Sequence, residues 1–580
     1  MRNLTNIEID ALKNQNCECS DWNSIYVADG FNPNYIKNVI FDGKIELGEF
    51  NDFLTNYDGV RLHSGIFNCR ISNVSVGNNS YINHIGQYIA NCQIGDNCHI
   101  ENVGIITCDG NNKAGEGTQV NVLNETGGRI ITLYKDLSIQ EAYLMAMFPQ
   151  KTTFQKKLVN LIQANIEEKT VSIIGNNVKI CNCKSLSNIY ISDNCDINNA
   201  TYIFNTSCFE CCIYNDVVIK NTIISKDSKI TDGANIENAF IGKHCEISKT
   251  ASVYDSVVFE NSQMAHSEVC AAFAGPFTVT HHRATLLIGG MYSFFNAGSG
   301  SNQSNHAYKL GPSHQGIFDR GTKFASNSYI LLPASTGVFS MIKGDVSCHI
   351  DSREFPFSYI IGEGKTCWLI PGKNLFTIGT KRDTEKWPKR NHHYAQVDFE
   401  LLNPYSIAQI LNAQKISKEL LARKESVVEY KNFKIKSRWL EEGLEYYQMA
   451  IDLYLKDILN KYNPLDGESK ELKWMDWGGL IYPTEYVTRI LNTDYSSITE
   501  LKNDIQNRPN YELNWVKSWA DLSDTELIEK NYNQTIRKIN VLYSLDQEKE
   551  FSENAKISFG HDLEEERDFE FDYLKKDLKI

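Results

Sequence analysis

The sequence predicts a mainly β-solenoid fold, a left-handed parallel β-helix, with a helical insertion and a C-terminal α-helical domain. Three observations predict it: a six-residue aliphatic repeat, a helical stretch that interrupts the repeat, and a change to helical spacing near Asn403. We therefore expect residues 1–108 to hold an N-terminal segment and the first coils. Residues 109–170 should form the insertion, residues 171–395 the continued β-helix, and residues 396–580 the helical domain.

The six-residue repeat is clearest in residues 76–82 and 94–100, two copies that lie 18 residues apart. It returns in residues 174–180, 191–197 and 241–247. Three periods of six suit a triangular coil, in which an aliphatic side chain points inward on each flat side and Gly, Asn or Asp forms the corner. The repeat therefore predicts a parallel β-helix.

The interruption contains Ser138 followed three residues later by Glu141, which is a capping box. It opens an amphipathic stretch over residues 142–166 that predicts one or two helices. Such an insertion can form the wall of a pocket or of an interface, or be a structural flap, and both interpretations stay open.

The last third of the chain has apolar residues at helical spacing. Six of the eight Trp lie at or after Trp387, and no Cys follows Cys367, which also sets this part apart. The basic residues 381–393 around Trp387 could hold a nucleotide by charge and stacking, but we interpret them as a solvated linker. The predicted stripes are Ile407, Ile410, Leu411, Leu420 and Leu421, then Leu444, Tyr447, Ile451, Leu455 and Ile458.

Composition predicts a soluble, cytoplasmic protein. The net charge of -14 argues against a nucleic-acid partner, and no apolar run is long enough for a membrane span or a secretory signal. We interpret the 16 Cys as small apolar residues rather than as disulfides or zinc ligands. Three of them, Cys98, Cys195 and Cys245, occupy an inward position of the repeat.

The strongest pointer to a site is a cluster of four of the 13 His within residues 281–314. The Gly, Ser and Asn residues around them suit a polar ligand, and a local excess of Arg and Lys favours an anion such as phosphate. The candidate catalytic residues are His281, His282, His306 and His314. The candidate substrate-binding residues are Arg283, Asn296, Ser299, Asn302, Gln303, Asn305, Tyr308, Lys309, Gln315, Arg320 and Lys323.

Three roles for these histidines compete. One imidazole could be a general base, since an ordinary pKa near 6.5 suits deprotonation of a hydroxyl or amine. Three could bind a metal, and all could be structural caps of loop carbonyls. We favour the general base and assign no metal ligands, because no HxxxH or CxxC spacing occurs in this stretch.

The hexads of residues 71–103 and 171–260 resemble the left-handed β-helix, or hexapeptide-repeat, acyltransferase superfamily. The resemblance implies a homo-oligomer, typically a homotrimer, in which a His activates an acceptor for attack on a thioester, with acyl-CoA as co-substrate. Residues 280–329, followed by residues 356–359, also resemble an uncharacterised bacterial family defined only as a domain of unknown function.

Together these features lead to the hypothesis of acyl transfer to a phosphorylated sugar or nucleotide-sugar. Two alternatives remain. One is a non-catalytic protein for sugar-phosphate or nucleotide binding or for assembly. The other is a metal-dependent β-helix enzyme of the hydratase type.

Overall fold

A computed structural model describes residues 1–304, 315–392 and 394–558, with residues 546–558 described by backbone alone. The chain divides into two compact units. The first unit comprises Met1–Tyr292, Ala297–Gly316 and Asp494–Leu501. The second unit comprises Ser293–Asn296, Ile317–Thr493 and Lys502–Ile580.

The first unit is built on a parallel β-solenoid, so the predicted fold class is confirmed. Ile180 pairs in parallel with Ile100 on one side and with Ile197 on the other, and all three are fully buried. Its strands are Arg2–Asn3, Glu18–Cys19, Ile25–Val27, Ile36–Leu47, Phe53–Thr55, Arg61–His63, Gly65–Val76, Tyr81–Ile94, His99–Thr107, Gln119–Asn121, Ile130–Thr132, Ser172–Ile174, Lys179–Cys181, Ser185–Ile191, Asp196–Asn198, Tyr202–Cys208, Cys212–Tyr214, Val218–Ile224, Lys229–Thr231, Asn235–Ile241, Glu246–Ser248, Ser252–Val258, Gln263–Ala265, Ser267–Cys270, Phe273–Ala274, Val279–Thr280, Thr285–Ile288, Gly290–Tyr292 and Asn302–Ser304.

Asparagine forms many of the coil corners. Asn177 and Asn194 occupy equivalent corners of neighbouring coils with φ of 56° and 61°, a left-handed conformation that Asn tolerates better than most residues. The Asn177 side-chain amide donates to Asn194 Oδ1 at 3.3 Å, so the corners are also hydrogen-bonded along the stack. The inward Cys98, Cys195 and Cys245 are buried and free.

The insertion leaves the solenoid after Thr107 and rejoins it at Ser172, which pairs with Cys92. It holds a short hairpin and two helices, Ile139–Met147 and Thr152–Ala164. The first helix begins with the predicted capping box: Glu141 N donates to Ser138 Oγ at 3.3 Å, and Ser138 N donates to Glu141 at 2.9 Å. Leu123 N donates to the carbonyl of Ala271 at 2.7 Å, so the insertion lies along later coils.

The second unit also contains parallel coils, in which Met341 pairs with Lys323 and with Tyr359, each 18 positions away. Its strands are Lys323–Phe324, Tyr329–Leu331, Ala334–Thr336, Met341–Val346, Tyr359–Glu363, Thr366–Ile370, Val427–Tyr430, Phe433–Lys436, Trp474–Trp477 and Leu480–Pro483. Two further strands, Asn296–Ala297 and Gly316–Phe318, fall at the divisions between the units.

Helices dominate the chain after Thr377. Asn403 caps the helix that begins at Pro404, where the change of spacing predicts a start. None of the described helices combines the length and apolar composition that a membrane crossing needs. With the short N-terminal helix Asn6–Asn14, the remaining helices are Ile378–Arg390, Pro404–Leu421, Ser437–Lys461, Thr484–Asn492, Ile498–Gln506, Glu512–Val516 and Thr525–Ser558.

The basic segment around Trp387 is not a linker, so that interpretation is wrong. It forms the helix Ile378–Arg390, capped by Thr377, whose side chain accepts a hydrogen bond from Thr380 N. The Trp387 ring packs against Phe294 and Phe339, with centroid distances of 4.9 and 6.0 Å. These apolar contacts fix one face of the helix, while its charges lie on the others.

Candidate functional site

The predicted His-rich site is only partly described. His306, His314, Asn305, Tyr308 and Lys309 lie outside the described residues. His281 and His282 follow the strand Val279–Thr280, are exposed, and have ring centroids 4.3 Å apart. His281 lines a shallow cavity of about 260 Å³ with Glu246, Lys249 and Gln263.

The other predicted binding residues of the first unit have mixed environments. Arg283, Ser299 and Asn302 are exposed, and Gln315 is half-buried. Gln303 is 2% exposed, and its Oε1 accepts hydrogen bonds from Tyr292 OH at 2.6 Å and from Ile288 N at 2.8 Å. The side-chain oxygen of Gln303 therefore stabilises the coil, because it accepts hydrogen bonds from two other positions of it.

Asn296, Arg320 and Lys323 belong to the second unit. Asn296 is exposed, whereas Lys323 forms an ion pair with Asp383. The Arg320 guanidinium is 1% exposed and lies 3.5 Å from Asp476 Oδ2. The positive charge that the sequence suggests for an anionic ligand is thus balanced inside the protein at both Arg320 and Lys323.

A better-formed site lies on another part of the solenoid. A cavity of about 360 Å³, here called the His99 cavity, is lined by one solenoid face, its corner residues and the turn of a hairpin. Its lining residues are Asn56, Tyr57, Asp58, His84, His99, Glu101, Asn102, Cys181 and Asn182.

His99 and Glu101 flank the inward-pointing Ile100 on the strand His99–Thr107. Alternate residues of a strand share a face, so both side chains lie outside the solenoid core. His99 Nε2 lies 3.1 Å from Glu101 Oε2. His99 is 1% exposed, and its Nδ1 has no hydrogen-bond partner among the described residues.

A small polar network holds Glu101 in place. Asn83 Nδ2 donates to Tyr81 OH at 2.8 Å and lies 3.4 Å from Glu101 Oε1. The Tyr81 ring meets the His99 ring edge-on, with centroids 5.3 Å apart. Burial, and then the negative charge of Glu101, raises the pKa of Tyr81, so its hydroxyl stays neutral.

The hairpin over this cavity, here called the covering hairpin, joins the strands Phe53–Thr55 and Arg61–His63. It is an insertion of the coil: Ile36 pairs with Ile66, 30 positions later, whereas Ile82 pairs with Ile100, 18 positions later. At its turn, Tyr57 OH donates to Asp196, which lies two strands beyond His99 on the same face. Lys179 Nζ lies 5.2 Å from the Tyr57 ring centroid.

This arrangement suits proton transfer by an imidazole. If Glu101 accepts the Nε2 proton, the lone pair of His99 lies on Nδ1, and the carboxylate stabilises the imidazolium that forms. Burial raises the pKa of Cys181 to about 12, which leaves a neutral thiol rather than a nucleophilic thiolate. No group of three or more His, Cys, Asp or Glu side chains in the described part of the chain is arranged to bind a metal.

Sequence reasoning missed His99, although the signal was present. The hexad alignment places Ile100 inward, so its neighbours on each side must point outward on one face. The unusual spacing between Ile36 and Ile66 marks the covering hairpin. What the sequence does not reveal is that the hairpin turn lies over His99.

Two known proteins give limited comparisons. An uncharacterized protein from Treponema pallidum (strain Nichols) is 25% identical over 173 residues, which is 28% of this chain. The chain spans about a quarter of that relative, namely 24% of its length. A solved UDP-N-acetylglucosamine acyltransferase from Campylobacter jejuni aligns with 74% of this chain and 95% of its own, at 10% identity and a TM-score of 0.09.

A family model matches residues 1–421, which include the solenoid strands, the insertion and the His99 cavity. That match confirms the resemblance to a family defined only as a domain of unknown function. This chain therefore belongs to the family described as Domain of unknown function (DUF4954).

Proposed function

We propose that this protein is a hexapeptide-repeat transferase with His99 as its general base. The reaction would transfer an acyl group from a thioester, such as acyl-CoA, to a hydroxyl or amine of a phosphorylated sugar or nucleotide-sugar. The observation that carries the proposal is the His99–Glu101 pair, 3.1 Å apart in a polar cavity. The proposed base is therefore His99, in another part of the first unit, and not a histidine of residues 281–314.

In the proposed step, His99 Nδ1 takes the proton from the acceptor hydroxyl or amine. The acceptor atom attacks the thioester carbonyl carbon, the new C–O or C–N bond forms, and the C–S bond breaks. The imidazolium then returns its proton to the leaving thiolate. Glu101 keeps the imidazole in one tautomer and stabilises its charged form during the step.

The residues around the cavity suit an acceptor rich in hydroxyl groups and phosphate. Asn56, Asn102 and Asn182 supply amide donors and acceptors at its edge. Lys179 follows His99 in the next coil on the same face, and it supplies a positive charge beside the hairpin turn. These groups support the substrate class, while the His–Glu pair supports the chemistry.

The test is acyl transfer by the full chain, followed by mass spectrometry of the acylated product. Acetyl-CoA and a panel of longer acyl-CoAs serve as donors, with amino sugars, sugar phosphates and UDP-sugars as acceptors. Because a general base contributes about 10²- to 10⁴-fold, we expect His99→Asn to lower kcat by about that factor. Glu101→Gln should lower kcat less and shift its pH profile, since the imidazole would remain without its carboxylate.

A matched control is His266→Asn, at a corner with φ of 53° where Asn fits the backbone. It should keep full turnover. Two results would overturn the proposal: full turnover in His99→Asn, or loss of turnover in His281→Asn with His99→Asn unaffected. Absence of product with every donor and acceptor would overturn acyl transfer itself.

The burial of His99 favours a second candidate function, in which the same cavity binds a sugar phosphate without reacting with it. His99 is 1% exposed, so an acceptor reaches Nδ1 only if the surrounding groups move. A sugar phosphate that raises the Tm while acyl-CoAs do not would support this alternative, because ligands that bind only the folded state stabilise it.

A further inference from the structure

We propose that the second unit contains a separate binding site for a neutral mono- or disaccharide. The site is a cavity of about 320 Å³ near Glu512, here called the Glu512 cavity. It is independent of the proposed transferase chemistry, since it shares no residue with the His99 cavity. Its volume lies at the lower end of the range of ligand pockets, which suits one or two sugar rings.

Glu512 is held as a fixed hydrogen-bond acceptor. Tyr454 OH donates to its Oε1 at 2.8 Å, and Tyr462 OH donates to its Oε2 at 2.9 Å. Asn510 supports the arrangement, because its Nδ2 donates to Tyr462 OH and its Oδ1 accepts from Glu512 N. A carboxylate offers about four lone-pair sites, so two remain for ligand hydroxyls.

Trp474 contributes a donor that the described protein does not satisfy. Its Nε1–H is buried without a hydrogen-bond partner in the described residues, and its side chain lines the cavity. A buried donor left without an acceptor costs about 1–3 kcal/mol. A ligand hydroxyl could accept this hydrogen bond, and the indole offers an apolar surface for the ring of a sugar.

The charges of the cavity favour a neutral ligand over an anion. Arg508 is paired with Asp398, and Lys461 lies 2.7 Å from Asp457. Glu400 and Glu512 add two further carboxylates to the lining. Since each cation already has an anionic partner, phosphate would meet an excess of negative charge. Hydroxyl groups both donate and accept, so they suit this mixture of acids, amides and an indole.

The test is calorimetric titration of the full chain with glucose, N-acetylglucosamine, maltose, glucose 6-phosphate and inorganic phosphate. We expect at least one neutral sugar to bind the Glu512 cavity about tenfold more tightly than either phosphate compound does, where binding is assigned to this cavity by its loss in Glu512→Gln. Glu512→Gln and Trp474→Phe should each weaken that binding by about tenfold. Glu512→Gln removes the carboxylate that accepts hydrogen bonds, and Trp474→Phe removes the indole N–H that donates one. Circular dichroism and Tm establish that the variants are folded.

Trp439→Phe is the matched control, since Trp439 packs on Trp368 and does not line the cavity. It should bind as the parent does. His99→Asn should also keep sugar binding, which separates this proposal from the transferase. The proposal would be overturned if the Glu512 cavity bound phosphate more tightly than sugar, as shown by phosphate binding that both cavity variants weaken. It would also be overturned by unchanged sugar binding in both cavity variants, or by no binding of any neutral sugar at its highest soluble concentration.

Discussion

At the scale of a single residue, Arg320 shows that a buried charge can stabilise the fold rather than bind a ligand. Its guanidinium lies over the Phe294 ring at 4.6 Å, donates to the Asp398 carbonyl and faces the buried Asp476 carboxylate. Burial raises the pKa of Asp476 to about 6, although the charge of Arg320 acts to lower it. Arg320 is therefore needed to balance a buried acid rather than to bind a ligand.

We expect Arg320→Met to destabilise the second unit by up to about 3–5 kcal/mol at a pH where Asp476 stays ionised, because the carboxylate would lose its buried counter-charge. The sign of the pH dependence follows from the raised pKa. Without Arg320 the pKa of Asp476 rises further above its value of about 6. The deficit should therefore be largest well above pH 6, shrink as the pH falls toward 6 and be lost below it, where Asp476 is protonated in both proteins. Urea unfolding at several pH values measures this difference.

The control is Arg353→Met. The Arg353 side chain is 60% exposed and pairs with Asp351. An exposed pair contributes at most about 1 kcal/mol, so this variant should unfold like the parent. Equal effects of the two substitutions would show that Arg320 does not have the role argued from its burial.

At the scale of elements, a hydrogen bond from the Tyr57 hydroxyl to Asp196 ties the turn of the covering hairpin to the solenoid. We expect Tyr57→Phe to loosen the hairpin, because the hydrogen bond from the Tyr57 hydroxyl to Asp196 would be lost. Hydrogen exchange should accelerate in residues 52–64, and trypsin should cut more readily at Arg61. The solenoid strands beneath should keep their protection, since their backbone bonds do not depend on the hairpin.

Tyr202→Phe is the matched control for the hairpin. Tyr202 lies on a solenoid strand and stacks on Phe204 with centroids 6.1 Å apart, and its hydroxyl has no hydrogen-bond partner among the described residues. Its substitution should leave exchange in residues 52–64 unchanged. Equal exchange in Tyr57→Phe and the parent would contradict the role of this hydroxyl.

The sequence predicts regular elements better than it predicts what lies over them. The hexads around Ile100 and Ile197 and the cap at Ser138 follow from local periodicity and local hydrogen bonds, and the structure contains them. The His99 cavity depends on the hairpin turn at Tyr57, which meets strands far along the chain. Such a contact leaves no periodic signal in the sequence. The cluster of histidines in residues 281–314 was therefore the stronger pointer to a site.

At the scale of the solenoid, stability comes from contacts between successive coils. Each coil pairs mainly with the coil before and the coil after it, as Ile236 does with Ile219 and Val253. All three side chains are fully buried. In such a stack, stability is approximately a sum of the stability of each coil and of its interfaces with neighbouring coils. A substitution in one coil should therefore destabilise that coil and its neighbours first.

We therefore expect Ile236→Ala to destabilise its coil by about 2–5 kcal/mol, through lost apolar burial and the cavity left behind. Its neighbour Glu237 points outward, is 45% exposed and pairs with Lys220 at 3.6 Å, so Glu237→Ala should cost at most about 1 kcal/mol. Native-state hydrogen exchange should show lost protection in Ile236→Ala over residues 218–258, and none at the distant strand Tyr81–Ile94. Uniform loss along the whole solenoid would instead mean that the coils unfold as one cooperative block, because only then does a local defect lower every coil equally.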